Sequence, residues 1–380
     1  AAVRVLMVTT SNKWDDTRLF WLESLSLCSL GVEVTILAVN SRADVPDRDG
    51  VSIIALERER RRLGRFLLNP VDAMKFCAKH GPSYDVLHIH DPELLPWLRR
   101  IKRVTGRPVV YDMREFLPDI LSVRSWVPRS FRDCAPRLGD AIERRTIRNA
   151  DAVVVVNELM EQRVRDMGMT EVVIFMGTPS RAEAERAAPY GSSRSGVAYV
   201  GGVARIRGAD VIAEVAPQIK QSHGCRVVVA GPLQDQTARD AMNVAAVDYR
   251  GVVSRSVIPL ILSETAIGWL PLRRTPNHDK AWPLKLGEYM AAGLPVVATD
   301  LTYCSSVVNK YDCGIVVRAD DVSAHLCALR YLLNNPNEAQ RMGANGRKAI
   351  QDELNSETYA LRLFALYVRL MERATEPCAS

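Results

Sequence analysis

The stretch 282–300, "WPLKLGEYMAAGLPVVATD", carries a helix and the strand that follows it. Pro283 suits the first turn of a helix, where its missing N–H costs nothing. Gly293 supplies a helix end, and Pro295 opens the apolar run behind it. A helix leading directly into a β-branched strand is the repeating unit of parallel α/β sheets. On that helix Lys285 and Glu288 stand three apart and share a face, while Ala291 and Ala292 permit close packing. The lysine suits a phosphate, and the carboxylate can accept two hydrogen bonds from a vicinal diol. A ribose joined to a diphosphate offers both. The same spacing also suits a surface ion pair, worth about 0–1 kcal/mol.

Working outward, the alternation repeats along the chain. The runs at 3–10, 32–39, 51–56, 85–90, 108–112 and 151–156 are near-continuous and β-branched, as are those at 197–202, 225–231, 266–272, 294–299 and 314–319. Amphipathic segments separate them, which predicts α/β architecture: two doubly wound, Rossmann-like domains with helices on both sheet faces. Such domains are expected to face a cleft and to bind ligands beyond the carboxyl ends of their strands. The predicted boundaries are 1–180 and 194–355, with "RAEAERAAPYGSSRSG" (181–196) read as a linker. The tail 356–373 is an amphipathic helix bearing Tyr359, Leu361, Leu363, Phe364, Leu366, Val368 and Leu370, expected to pack back on the first domain.

Composition narrows the classes. With 380 residues the chain has room for two cores, and 47% hydrophobic against 25% charged residues excludes a disordered or fibrous protein. No apolar run reaches the length of a membrane-spanning helix. The net charge of +6 fits a partner carrying phosphate, yet no nucleic-acid recognition motif accompanies it. Eight scattered cysteines without a C-x-x-C pair read as reduced thiols, and the first residues lack the features of a secretory signal, so a cytoplasmic setting is expected. No G-x-G-x-x-G follows the first strand, which counts against a nicotinamide or flavin enzyme.

A second stretch joins the first. In "YVGGVARIRGADVIAEV" (199–215) a strand ends at Gly201 and Gly202, and Arg205 and Arg207 precede Gly208 and a helical run. Glycines admit an anion close to the backbone, a helix start adds positive potential, and guanidiniums supply forked donors. A flexible basic turn is the plainer alternative.

"PLKLGEYMAAGLPVVA" (283–298) resembles the donor-site signature of the GT-B glycosyltransferases of family 4, retaining enzymes that use nucleotide sugars. "YVGGVARIRG" is similar to that family's diphosphate loop, and the segments 16–37, 88–96, 109–119 and 142–160 resemble one branch of it in order and spacing. The resemblance implies that Glu288 binds the ribose, that Lys285 with Arg205 or Arg207 holds the diphosphate, and that Gly201, Gly202 and Leu286 lie near the nucleotide. It places His90 near the transferred sugar and gives the first domain the acceptor, with Asp91, Glu115 and Arg114 on that side. Two departures stand out: Lys280 replaces a glutamate eight positions before Glu288, and Gly202 replaces an arginine. His278 or Asp279 are the candidates to substitute for that glutamate.

The expected reaction moves a sugar from a nucleoside diphosphate, uridine before guanosine by family frequency, to a hydroxyl of a polysaccharide, glycolipid or natural product. Fixed cations stabilise the charge left on the diphosphate, so no cofactor or metal is expected. The acidic pairs at 15–16 and 320–321 read as helix caps. Rival readings are a nucleotide-sugar epimerase or hydrolase of the same architecture, and a catalytically degenerate nucleotide-binding subunit. Residues 94–148 hold 13 Arg or Lys against 6 Asp or Glu, with Trp97, Phe116, Trp126 and Phe131 among them. Together with 58–68 and 123–132 they suit either a peripheral contact with anionic lipid at the inner membrane face or solvated basic helix faces.

Overall fold

The β-branched runs form strands of two all-parallel sheets in a computed structural model that describes residues 2–41, 46–56, 62–123, 134–191 and 194–375, without the side chains of 62–66, 122–123 and 375. The first sheet comprises β1 (Arg4–Thr9), β2 (Glu33–Ala38), β3 (Ser52–Ala55), β4 (Val86–Ile89), β5 (Val109–Met113), β6 (Ala152–Val155) and β7 (Val172–Ile174), in the order β3-β2-β1-β4-β5-β6-β7. Its winding reverses between β1 and β4. Every residue of β4 and β5 is buried, which is why these strands read as unbroken apolar runs rather than alternating ones.

The second sheet repeats the plan with β8 (Val197–Val200), β9 (Val227–Ala230), β10 (Val247–Tyr249), β11 (Ile267–Leu270), β12 (Val296–Thr299) and β13 (Gly314–Val317), ordered β10-β9-β8-β11-β12-β13. Here the winding reverses between β8 and β11, and Tyr289 from the helix Leu284–Ala291 serves that junction. Its hydroxyl accepts the Val200 N–H at 3.0 Å, and a Cβ on Gly268 would collide with its ring at 2.4 Å. The sequence reading omitted β7 and β10. Both are three-residue edge strands.

The chain divides into two compact units, one running to Gly177 together with the C-terminal helix Ser356–Thr375, the other spanning Thr178–Asn355. That helix buries Tyr359, Ala360, Leu363, Leu366, Tyr367 and Leu370, a stripe at helical spacing. Tyr359, Leu363, Leu366 and Leu370 of the expected stripe lie inside, Leu361 is exposed, and Tyr367, outside the expected set, is buried with them. Arg369 and Arg373 of this helix pair with Glu171 at 3.4 and 2.7 Å.

The stretch read as a linker is instead packed into the second unit. Arg181–Arg186 is helical, capped by the reciprocal bonds Glu183 N–H to Ser180 Oγ (3.0 Å) and Ser180 N–H to Glu183 Oε2 (2.7 Å). Arg194 then donates to the carbonyls of Ala188, Leu262 and Ala292, which its small and polar neighbours gave no hint of. Of the basic segment, Phe116 is buried under the Arg163 guanidinium at 4.0 Å and Trp97 packs against the core. Trp126 and Phe131 lie outside the described residues, as do most of 123–132 and the start of 58–68. Among the described residues no helix is long and apolar enough to cross a membrane.

Candidate functional site

At the carboxyl end of β8 the chain turns through Gly201 and Gly202. Lys285, one residue into the 284–291 helix, lays its ammonium 4.9 Å from the centre of the Tyr199 ring. This approach requires a glycine: Gly201 has φ +121°, and a Cβ there would lie 2.7 Å from Lys285 Cε. On Gly202 a Cβ would meet Arg207 Nη1 at 2.4 Å, and the Gly202 carbonyl accepts from the Tyr199 hydroxyl at 2.8 Å and from Arg207 at 3.4 Å. Among the described residues neither Lys285 nor Arg207 has a carboxylate within ion-pair distance. Desolvation first, then the Arg207 charge, pushes the Lys285 pKa down to about 7. Among the described residues the two cations thus stand side by side with no carboxylate at ion-pair distance, Glu288 acting on Lys285 only from farther away.

The other expected donor residues are placed as follows. Glu288 faces Arg255, its Oε1 3.5 Å from Nη1, and the same guanidinium reaches Glu183 at 3.4 Å. Desolvation raises the Glu288 pKa, against the pull of Arg255 and Lys285. Arg255 was not singled out from sequence, because it sits 33 positions from its partner in a segment with no motif. Leu286 is fully buried and its N–H is bonded to the Pro283 carbonyl, so it belongs to the core. Arg205 does not join Lys285 and Arg207: in the 3-10 turn Arg205–Arg207, positions two apart diverge, and its side chain is 69% exposed beside Asp210 at 3.7 Å. Asp279 is engaged by Arg274 and by the Thr302 N–H and hydroxyl at 3.0 and 2.9 Å. Thr275 caps the short helix Pro276–Lys280, its Oγ1 accepting the His278 N–H at 3.0 Å, and His278 Nδ1 meets the Arg273 carbonyl at 2.9 Å.

The first unit holds a buried polar cluster at the matching sheet edge. Arg18 Nη2 donates to Asp112 Oδ2 at 2.8 Å, its Nε lies 2.8 Å from Glu23 Oε1, and its Nη1 donates to the Phe175 carbonyl at 2.5 Å. His88 and His90 flank one another with ring centroids 4.4 Å apart. Nδ1 of His88 meets the Tyr367 hydroxyl at 2.7 Å, and its Nε2 is 3.8 Å from Asp112. Burial pushes the His88 pKa down to about 4, and burial with the His88 neighbour lowers that of His90 well below the usual range. Burial, then the Asp112 charge, raises Glu23. Burial would raise Asp112 likewise, but Arg18 and Arg114 hold it low.

The acceptor-side candidates separate in role. Asp91 is saturated: Oδ2 accepts from the Thr9 hydroxyl (2.7 Å), the Thr10 N–H (2.5 Å) and the Ser11 N–H (3.0 Å), and Oδ1 from Asn12 at 2.8 Å. It shapes the loop after β1. Arg114 donates to Asp16 at 2.8 Å and lies 3.8 Å from Asp112, joining the cluster's rim; Glu115 is half-buried beside it. Asp16 and Asp321 both cap helices, as read from sequence.

Glu23, His88, His90 and Asp112 present ligand atoms within 4.8 Å of one another. Sequence order hides this group, because its members come from three distant segments, and the acidic pairs adjacent in sequence lie elsewhere. Imidazole and carboxylate suit a transition metal. Their charge does not, since Arg18 already bridges both carboxylates and Arg114 adds a second cation, balancing the site from within the chain.

Residues 24–176 match the family model for a glycosyl transferase 4-like domain, and residues 194–335 that for glycosyl transferases group 1. A glycogen synthase from Mycobacterium tuberculosis is 22% identical over 250 residues, a match spanning 62% of this chain and 58% of that protein. Among solved structures, sucrose-phosphate synthase from Thermosynechococcus elongatus aligns with a TM-score of 0.76 at 17% identity, covering 98% of this chain and all of that one. HepE from Anabaena, in complex with UDP and glucose, aligns with a TM-score of 0.71 at 12% identity, covering 97% of this chain and all of that one. These likenesses give the fold: two Rossmann-like domains of the GT-B type.

Proposed function

The chain belongs to the glycosyltransferases that join a 4-like domain to a group 1 domain, and on that premise we propose that it moves a sugar from a nucleoside diphosphate sugar to an acceptor hydroxyl, with retention at the anomeric carbon. The observation that carries this reading is the pair Lys285 and Arg207, set beside Gly201 and Gly202 with no carboxylate at ion-pair distance among the described residues. Cleavage of the sugar–phosphate bond leaves charge on the diphosphate. Cations already fixed at that point stabilise the transition state more than the ground state. Glu288, held by Arg255, takes the ribose hydroxyls, and the departing phosphate receives the acceptor's proton. No metal is needed in this scheme. The likeness to HepE, solved with UDP, favours uridine as the base. The first unit takes the acceptor, a saccharide or lipid-linked hydroxyl.

A thermal-shift panel of UDP, GDP and their sugars, followed by mass spectrometry of donor cleavage, tests the proposal. UDP and one UDP-sugar should raise Tm, and the donor should be consumed when an acceptor hydroxyl is supplied. Silence across the whole panel would end the reading. Conversion of the donor sugar to an epimer without acceptor would replace it with the epimerase alternative.

A further inference from the structure

Residues Thr17–Ser24 wind as a π-helix, with the Leu25 N–H reaching back five residues to the Phe20 carbonyl. The stretch "TRLFWLES" contains neither glycine nor proline, so its composition does not forbid the commoner α form. In an α-helix, positions 18 and 23 would stand roughly 140° apart around the axis. The wider turn brings them to one side, and Arg18 Nε lies 2.8 Å from Glu23 Oε1. π-turns gather at functional sites. This one delivers a buried acid to the ends of β4 and β5.

There Glu23 meets His90. The histidine's main chain is locked by its N–H to the Val8 carbonyl at 3.0 Å, and its side chain is fully buried. Among the described residues neither ring nitrogen has a hydrogen-bond partner. Glu23 Oε2 lies 3.8 Å from Nδ1, while the other Glu23 oxygen is held by Arg18. His88 beside it is already served at Nδ1 by Tyr367. We propose that Glu23 is a positioning residue that accepts the His90 Nδ1–H, a contact that shortens when substrate binds, and so fixes the tautomer that carries the lone pair on Nε2. Hydrogen bonds of this kind are commonly long in the free protein and tighten in the complex. Burial keeps the His90 ring in its uncharged form, so the contact sets a tautomer rather than a charge. The kinetic consequence rests on the sugar-transfer reading; the tautomer does not.

The test combines nitrogen-15 histidine NMR with steady-state kinetics on the full chain. The His90 signals, identified by their loss in His90→Gln, should show a proton on Nδ1, and Glu23→Gln should move it toward Nε2. In Glu23→Gln, kcat should fall ~100-fold with donor KM and UDP affinity unchanged. The same change should cost nothing further in a His90→Gln background. A wild-type ring protonated at Nε2, an unaltered kcat, or fully multiplicative losses in the double variant each overturn the proposal. Should Glu23→Gln fail to fold, the wild-type tautomer alone decides. Stoichiometric zinc or manganese in the purified protein also overturns it, because a metal would claim the same atoms. A wild-type protein without donor turnover would end the transferase reading and leave the NMR result standing.

Discussion

The two units place charge at the same topological position, the carboxyl ends of strands around the winding reversal, and treat it in opposite ways. In the first, Arg18, Arg114, Asp112 and Glu23 neutralise one another inside the protein. In the second, Lys285 and Arg207 stand on a glycine turn with no carboxylate at ion-pair distance among the described residues. A buried charge held by an internal counterion gives geometry, since its field is already spent on the chain itself. A charge without one stores an affinity, and its altered pKa is the sign of it.

The contrast is broken most directly at Lys285. Lys285→Ala should lower kcat/KM for the donor by about 3–4 kcal/mol, the usual effect of removing one fixed charge donor from a developing anion, with Tm little changed. Full turnover in that variant would remove the distinction between the units. Next in size is Asp91→Ala, expected to cost about 2–4 kcal/mol in urea unfolding, since it leaves the Thr10 and Ser11 N–H groups without an acceptor. UDP affinity should survive the change wherever the protein remains folded. A stable Asp91→Ala protein with abolished turnover would return Asp91 to the chemistry.

A smaller effect concerns pH. Because the Lys285 pKa lies at about 7 rather than at its ordinary value near 10.5, the free protein loses this proton as pH rises through 7. A bound diphosphate favours the charged form, so binding takes up a proton above that point. UDP affinity should then fall with rising pH, by up to about tenfold per unit, and Lys285→Arg should flatten the slope. The sign for stability is the reverse: the unfolded chain binds the proton more tightly, so this lysine makes folding more favourable as pH rises from about 7 toward 10.5. A slope identical in both proteins would assign the titration elsewhere. Smallest of all is the expected response to EDTA, which should leave turnover unchanged; restoration of an EDTA-treated enzyme by added divalent cation would show that the fixed cations do not suffice.

The parallel strands and the helix ending before Gly293 were legible because each leaves a local mark, an apolar run or a breaker, while the union of Lys285 with the Gly201–Gly202 turn was implied by the family resemblance rather than by spacing. Strands β7 and β10 left none, three residues at a sheet edge being too short to carry a period. Arg255 with Glu288, and Arg18 with Asp112, are pairings made by the tertiary fold across tens of residues. Arg205 and Arg207 look equivalent in sequence, and only the tight turn between them sends one toward the lysine and the other to solvent. Asp91 carries the composition of a catalytic carboxylate and the surroundings of a loop clamp. In the last helix Tyr359, Leu363, Leu366 and Leu370 were legible as the inner stripe, whereas Tyr367, outside that set, buries its ring and directs its hydroxyl to His88.

That tyrosine also sets an order of events during synthesis. The ribosome makes the seven strands of the first sheet, then the 178 residues from Thr178 to Asn355, and only afterwards the helix that brings Tyr367 to His88. At ordinary elongation rates the gap is about 10 to 35 s. Through that interval the nascent first unit carries an imidazole without its phenol and an apolar groove without its helix, so its maturation is timed by the completion of its neighbour.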